Sequence, residues 1–306
     1  MKKLIVSLVT LLILGPWGCS FELYNPTDVD SISDISCPNN YIAVPGNATV
    51  GATADFCVMK YEAKNDGSGN AISQAETTPW DSISQADAKT ECTDLNTLNG
   101  VQEKYDLISN AEWMAIARNI ENVGTNWTGG SVGSGCLMRG NVGGTSACTG
   151  GNSGYDGPNP DFGTSRSDNG TAQLVLSNGQ VIWDFSGNMW EWVDWTLGGS
   201  LSTSMMQADK PYVSGDAGPV DAWRELNAID VFSSLAPTTS LLPTNPTYGD
   251  AQGVGSYWSG ISGGAGTALR GGSWNQPTIA GIFFLWVGDP NPSPFNAVGF
   301  RCVYRP

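Results

Sequence analysis

The sequence predicts an irregular α+β chain with little regular secondary structure, on three observations. Glycine occurs 39 times and tryptophan 12 times in 306 residues, while only 14% of residues are charged, a balance that favours loops packed around large aromatic plates. Two segments open on a side chain able to cap a helix and continue with apolar residues three and four apart. Short aromatic and β-branched runs, bounded by Gly, Asn and Pro, read as strands.

The elements follow in chain order. Lys2 and Lys3 precede an apolar run, Leu4 to Leu14, and a processing point at Gly18-Cys19, so residues 1–18 read as a signal peptide. The run falls short of the roughly 20 apolar residues that span a bilayer. Gly18 before Cys19 resembles the end of a bacterial lipobox, which predicts a lipid on Cys19 and a membrane-tethered body; plain secretion is the other reading. Residues 19–40, rich in Asn, Asp, Ser and Pro, form an anchor and linker ahead of one folded domain over 41–306. Tyr41–Val44 and Phe56–Tyr61 read as a hairpin. Ser84 with Asp87 starts a helix that carries Ala88, Cys92 and Leu95 on one face. Ser109 with Glu112 starts a second, carrying Trp113, Ile116, Ala117 and Ile120. Residues 122–170, rich in Gly, Ser and Asn, read as surface loops pinned by a local Cys136–Cys148 bridge worth about 3 kcal/mol. Gln173–Trp183 alternates around Asn178-Gly179, a hairpin signal. Within 198–268 the pattern is weak, with Ala222–Leu226 as one short helical turn.

A net charge of −15 repels phosphate backbones and anionic headgroups, which argues against nucleic acid as a partner and leaves the membrane to be met through the lipid alone. Of seven cysteines, Cys19 is set aside for lipid and six remain for three disulfides in an exported chain. No C-x-x-C pair and no histidine exist to build a zinc site.

Carboxylates and tryptophans concentrate in Trp183–Trp195. Spacing allows Asp184 and Glu191, with carbonyls of the Gly187-Asn188 turn, to hold a hard cation such as calcium; it equally allows Trp190 and Trp192 to be core and rim plates with the acids capping amides. Together, Ser109-Asn-Ala-Glu-Trp113, Gly187-Asn-Met-Trp-Glu-Trp192, Arg270-Gly-Gly-Ser-Trp274 and Gly299-Phe-Arg301, in this order, resemble the formylglycine-generating enzyme, or sulfatase-modifying factor, family over roughly residues 40–306. The resemblance implies that family's irregular C-type-lectin-like fold. It implies a calcium site at Asp184, the carbonyls of Gly187 and Met189, and Glu191. It also implies a Cys92–Cys302 disulfide, which leaves Cys37 for Cys57.

Active members of the family hold copper with two cysteines shortly after the R-G-G-S-W motif. The corresponding stretch here, Asn275–Trp286, contains none, so Cu(I) lacks the thiolates it selects and no copper is expected. Relatives that use iron rely on histidine, which is absent throughout. The chain therefore reads as a non-enzymatic lipoprotein of the bacterial envelope, at the outer membrane or cell surface. The competing readings are a formylglycine-generating oxidase acting on protein cysteine and a structural envelope protein.

The segment between the R-G-G-S-W and V-G-F-R-C motifs also resembles in layout the variable region of lipoproteins diversified by retroelements, which display side chains on a C-type-lectin scaffold. Asn275, Gln276, Thr278, Phe284, Trp286, Asp289, Asn291, Phe295 and Asn296 are accordingly the expected contacts for an extracellular or periplasmic protein or glycan. The alternative is that Phe283, Leu285 and Val287 alternate inward as a core strand.

Overall fold

Both helices start where their capping side chains place them. The computed structural model describes residues 35–75, 78–142, 148, 172–197, 223–225, 241–258, 266–289 and 296–306. Within it α1 spans Gln85–Leu98 and α2 spans Asn110–Glu121. Ser84 accepts from the Asp87 amide, and Ser109 and Glu112 complete a reciprocal capping box that satisfies amides no helical carbonyl can reach. α1 buries the expected Ala88, Cys92 and Leu95. α2 buries Met114 and Ala115 besides the expected face, so it lies inside the core rather than on its surface.

The strands are short. β1 (Tyr41–Val44) and β2 (Phe56–Met59) pair antiparallel as the first hairpin. β3 (Ala63–Asn65) pairs with β4 (Ala71–Ser73), and β5 (Tyr105–Leu107) leads into α2. β6 (Gln173–Val175) and β7 (Val181–Trp183) flank Asn178-Gly179, whose glycine takes the left-handed φ of 80° that the turn requires. β8 (Trp190–Leu197), β9 (Trp223–Glu225), β10 (Ser256–Trp258), β11 (Gly266–Arg270), β12 (Leu285–Asp289) and β13 (Val298–Phe300) form a six-stranded sheet in the order β13-β8-β11-β12-β10-β9. β14 (Cys302–Tyr304) inserts between β2 and β5 in a four-stranded sheet, β1-β2-β14-β5. Arg301 is thus the one residue between strands of two sheets, and residues Ile32–Pro306 form one compact unit.

Two expectations are corrected. Ala222–Leu226 is not a helical turn: Trp223–Glu225 pairs antiparallel with Ser256–Trp258 at the sheet edge, and that pairing overrides a weak local preference. The stretch after α2 is not all surface loop. Trp127, Leu137 and Val142 are fully buried, and Asn126, Arg139 and Asn141 go in with them. Few apolar residues suffice because each polar one is bonded inside: Asn126 donates to the carbonyls of Ile120 and Val175, and Arg139 to those of Pro277 and Asp250. Cys37–Cys57, Cys92–Cys302 and Cys136–Cys148 are all bonded. Among the described residues no helix is long and apolar enough to cross a membrane. The leader, Cys19 and the linker up to residue 34 lie outside the described residues.

Candidate ligand-binding face

The segment after β11 is built on two glycines. Gly271 and Gly272 take φ of 83° and 78°, which side chains rarely adopt, and a Cβ on Gly272 would meet that of Ala280 at 2.5 Å. The tight turn lets Gln276 accept the Ser273 amide at 3.0 Å and the Trp190 indole N–H at 2.7 Å. Further ties run from Gly281 N–H to the Gly271 carbonyl, from Phe283 N–H to that of Val254, and from the buried Trp113 indole to that of Ile282. Gly281 is pressed so closely on Val254 that an added Cβ would stand 2.3 Å from its carbonyl carbon. The backbone of residues 271–284 is therefore fixed from several sides.

This framework divides the expected contact residues. Asn275 and Thr278 are exposed, and Trp274, Pro277, Ile279 and Trp286 are half-buried, on a segment whose backbone points are tied inward. Trp286 packs edge-on against the half-buried Trp190 at 5.0 Å between ring centroids. Asn296 is exposed in the turn before β13. Two expected contacts are corrected. Phe284 is fully buried in the core, as Phe283 and Leu285 are, and Gln276 is buried with its oxygen committed to Trp190 and Ser273, so both support the face rather than present it. Asp289 ends β12 and only its backbone is described; Asn291 and Phe295 lie outside the described residues.

Beneath this face lies a buried ionic centre that holds the residues expected to bind calcium. Glu191, fully buried on β8, accepts at both oxygens from Nε of the equally buried Arg301, 2.9 Å away. Arg301 also donates to the carbonyls of Met59, Lys60 and Trp183, so one guanidinium joins β2, β7 and β8 where the chain changes sheets. Glu62, which no sequence signal marked, accepts the Asn188 amide and, at 3.1 Å, the Met189 N–H. Its carboxyl is held well above the ordinary range by burial and by Asp184 and Glu191, against the opposing pull of Arg301 and Lys64. Burial likewise raises Glu191 to about 7 although Arg301 pulls it down. Asp184 is buried in a left-handed conformation, φ 55°. Gly187 is wedged against the Asn141 and Arg139 carbonyls, where a Cβ would stand 2.5 and 2.7 Å away.

This arrangement does not fit calcium. Calcium takes six to eight oxygens, and of the expected ligands the Glu191 carboxylate already accepts at both oxygens from a buried guanidinium. Among the described residues no group of three or more His, Cys, Asp or Glu side chains is placed to hold a metal ion. Copper does not fit either, because residues 275–286 offer no thiolate, and at Gly281 there is no room for a side chain.

A second buried arginine anchors the same segment. Arg270 donates from Nε and Nη2 to Asn110 Oδ1 at the start of α2, and from Nη1 to the Phe283 carbonyl at 3.1 Å and the Phe284 carbonyl at 3.4 Å. Burial lowers its pKa to about 9.

No curated protein matches the chain significantly in sequence. Among solved structures it is similar to PvdO from Pseudomonas aeruginosa, at 14% identity and a TM-score of 0.41, over 87% of this chain and 91% of that one. It is also similar to Treponema denticola variable protein 1, at 14% identity and a TM-score of 0.35, over 87% and 92% of the two chains. The U1 variant of the major tropism determinant aligns at 13% identity and a TM-score of 0.38 over 88% of this chain and 53% of that one. Residues 49–306 match the sulfatase-modifying factor enzyme 1-like domain, and with its ordered motifs carried on this irregular α+β body the chain belongs to that family.

Proposed function

We propose that this family member is a non-enzymatic binding module, exported, anchored to the bacterial envelope through a lipid on Cys19, and presenting its C-terminal segment to a protein or glycan outside the membrane or in the periplasm. One observation carries the reading: the stretch that follows the R-G-G-S-W motif has no sulfur ligand and is instead a pinned platform that exposes Asn275 and Thr278 beside half-buried Trp274 and Trp286. Amphipathic aromatics on a fixed backbone lose little conformational freedom on binding, which is what a recognition surface needs.

The test is a protein and glycan array probed with the full chain and with Trp286→Ala and Asn275→Ala. A specific ligand lost in Trp286→Ala, with the melting temperature nearly kept, supports the reading. A ligand bound equally by parent and variants rejects this face. Anchoring is tested separately by palmitate labelling, which Cys19→Ala abolishes if the lipid is attached there.

A further inference from the structure

A second groove lies away from the C-terminal segment, where the loop before β1, the strand β4 and the end of α1 meet. Its volume is about 320 Å³, at the lower end of small-molecule sites, and no described residue of 270–302 lines it. Among the described residues lining it, none carries a charge. The rim offers the side-chain amides of Asn39 and Asn40, both exposed, and the amide of Asn99, whose nitrogen also donates to the Leu95 carbonyl at 2.8 Å. The apolar part includes Leu95 and Leu98, the latter 60% exposed at the end of α1.

Tyr41 supplies the independent observation. Tyr41 lines the groove and its ring packs edge-on against Tyr105 at 5.9 Å, but its hydroxyl is buried and has no hydrogen-bond partner among the described residues. Such a group forfeits its hydration without compensation, and the groove that Tyr41 lines is the adjoining space that could supply a partner. Burial, reinforced by Tyr105, raises its pKa and keeps the phenol neutral and able to donate.

From this combination we infer a binding site for a neutral saccharide, held through Tyr41, Asn39, Asn40 and Asn99 with its C–H face against Leu98. The lining chemistry selects the class. Without a cation the groove has nothing to offset a phosphate, sulfate or carboxylate, and without an anion nothing to hold an amine. Amides that both donate and accept suit the alternating demands of sugar hydroxyls, and an aliphatic wall suits a pyranose ring face.

The site is tested by titrating the full chain calorimetrically with uncharged di- and trisaccharides, alongside sialylated and sulfated sugars and an uncharged tripeptide. At least one uncharged saccharide binds, the charged sugars and the peptide do not, and Tyr41→Phe and Asn39→Ala each weaken binding about tenfold. Tyr41→Phe keeps or raises the melting temperature of the free protein because it removes an unpartnered hydroxyl, whereas Trp286→Ala leaves saccharide binding intact. Absence of saccharide binding at millimolar concentration, preference for the peptide or the charged sugars, or parent-like binding by Tyr41→Phe overturns the inference. The Trp286→Ala control separates this groove from the C-terminal face.

Discussion

Arg301 and Arg270 are both fully buried, yet they are neutralised in opposite ways. Arg301 faces a carboxylate, Glu191, in an ion pair shut off from water, and ties two sheets together at the point where the chain passes between them. Among the described residues, Arg270 faces an amide oxygen and two backbone carbonyls. The first arrangement holds the scaffold and the second sets the height of the segment above it, because Asn110 and the carbonyls of Phe283 and Phe284 belong to α2 and to the end of that segment. The scaffold is therefore separable from the surface it carries: side chains at 275 and 278 can change without touching either arginine.

Opening the scaffold's covalent closure is expected to cost the most. Cys92–Cys302 spans 210 residues, and replacing both cysteines by alanine is expected to lower stability by about 5 kcal/mol in the chain-entropy model. Chemical denaturation checks it. A loss no larger than that for Cys136–Cys148, about 3 kcal/mol, would show that the long closure of α1 onto β14 does no more for stability than a short loop.

Breaking the ion pair comes next. Glu191→Gln leaves Arg301 buried against a neutral side chain and is expected to lower stability by about 3–5 kcal/mol. Asn110→Ala removes the only side-chain acceptor described for Arg270 and is expected to lower it by about 2 kcal/mol, the scale of a hydrogen bond to a charged group. If Asn110→Ala proves as damaging as Glu191→Gln, the two arginines serve one structural purpose and the division drawn between them fails.

The pH profile sharpens the same contrast. Glu62, buried and facing Asp184 and Glu191, binds its proton more tightly in the folded chain than in the unfolded one, so the native state holds more protons between the ordinary carboxylate range and neutral pH. Stability then falls as pH rises through that window. Arg301 and Lys64 face the cluster and moderate the effect without reversing it. The melting temperature is expected to be higher near pH 5.5 than near pH 8 by a few degrees, and Glu62→Gln to flatten the profile. A melting temperature that rises with pH contradicts this assignment. Because Glu191 already has a guanidinium partner, the smallest expected effect is that of a chelator: after equilibration with calcium, its addition leaves the melting temperature unchanged within error.

Parts of this were legible from residue order alone. Ser84 with Asp87 and Ser109 with Glu112 mark helix starts because capping is local chemistry, and Asn178-Gly179 marks a hairpin because its turn needs a left-handed backbone. The ordered motifs, through the family they resemble, placed Cys92 against Cys302. What stayed hidden depends on partners distant in sequence. Trp223–Glu225 is a strand only because Ser256–Trp258 lies beside it. Glu62 looks like any strand-edge acid until Asn188, 126 positions away, turns its amide towards it. Gln276 and Phe284 read as contact residues because polarity and aromaticity do not reveal burial, and the fold decides it by running the Trp190 indole into one and the core around the other.

The claim on which the rest depends is that this scaffold recognises a ligand and performs no cysteine oxidation. It is tested most directly by incubating the full chain with a Cys-x-Pro-x-Arg peptide, copper and oxygen and following the peptide by mass spectrometry. The account predicts an unchanged peptide mass; loss of mass at the peptide cysteine, dependent on the protein, would contradict it.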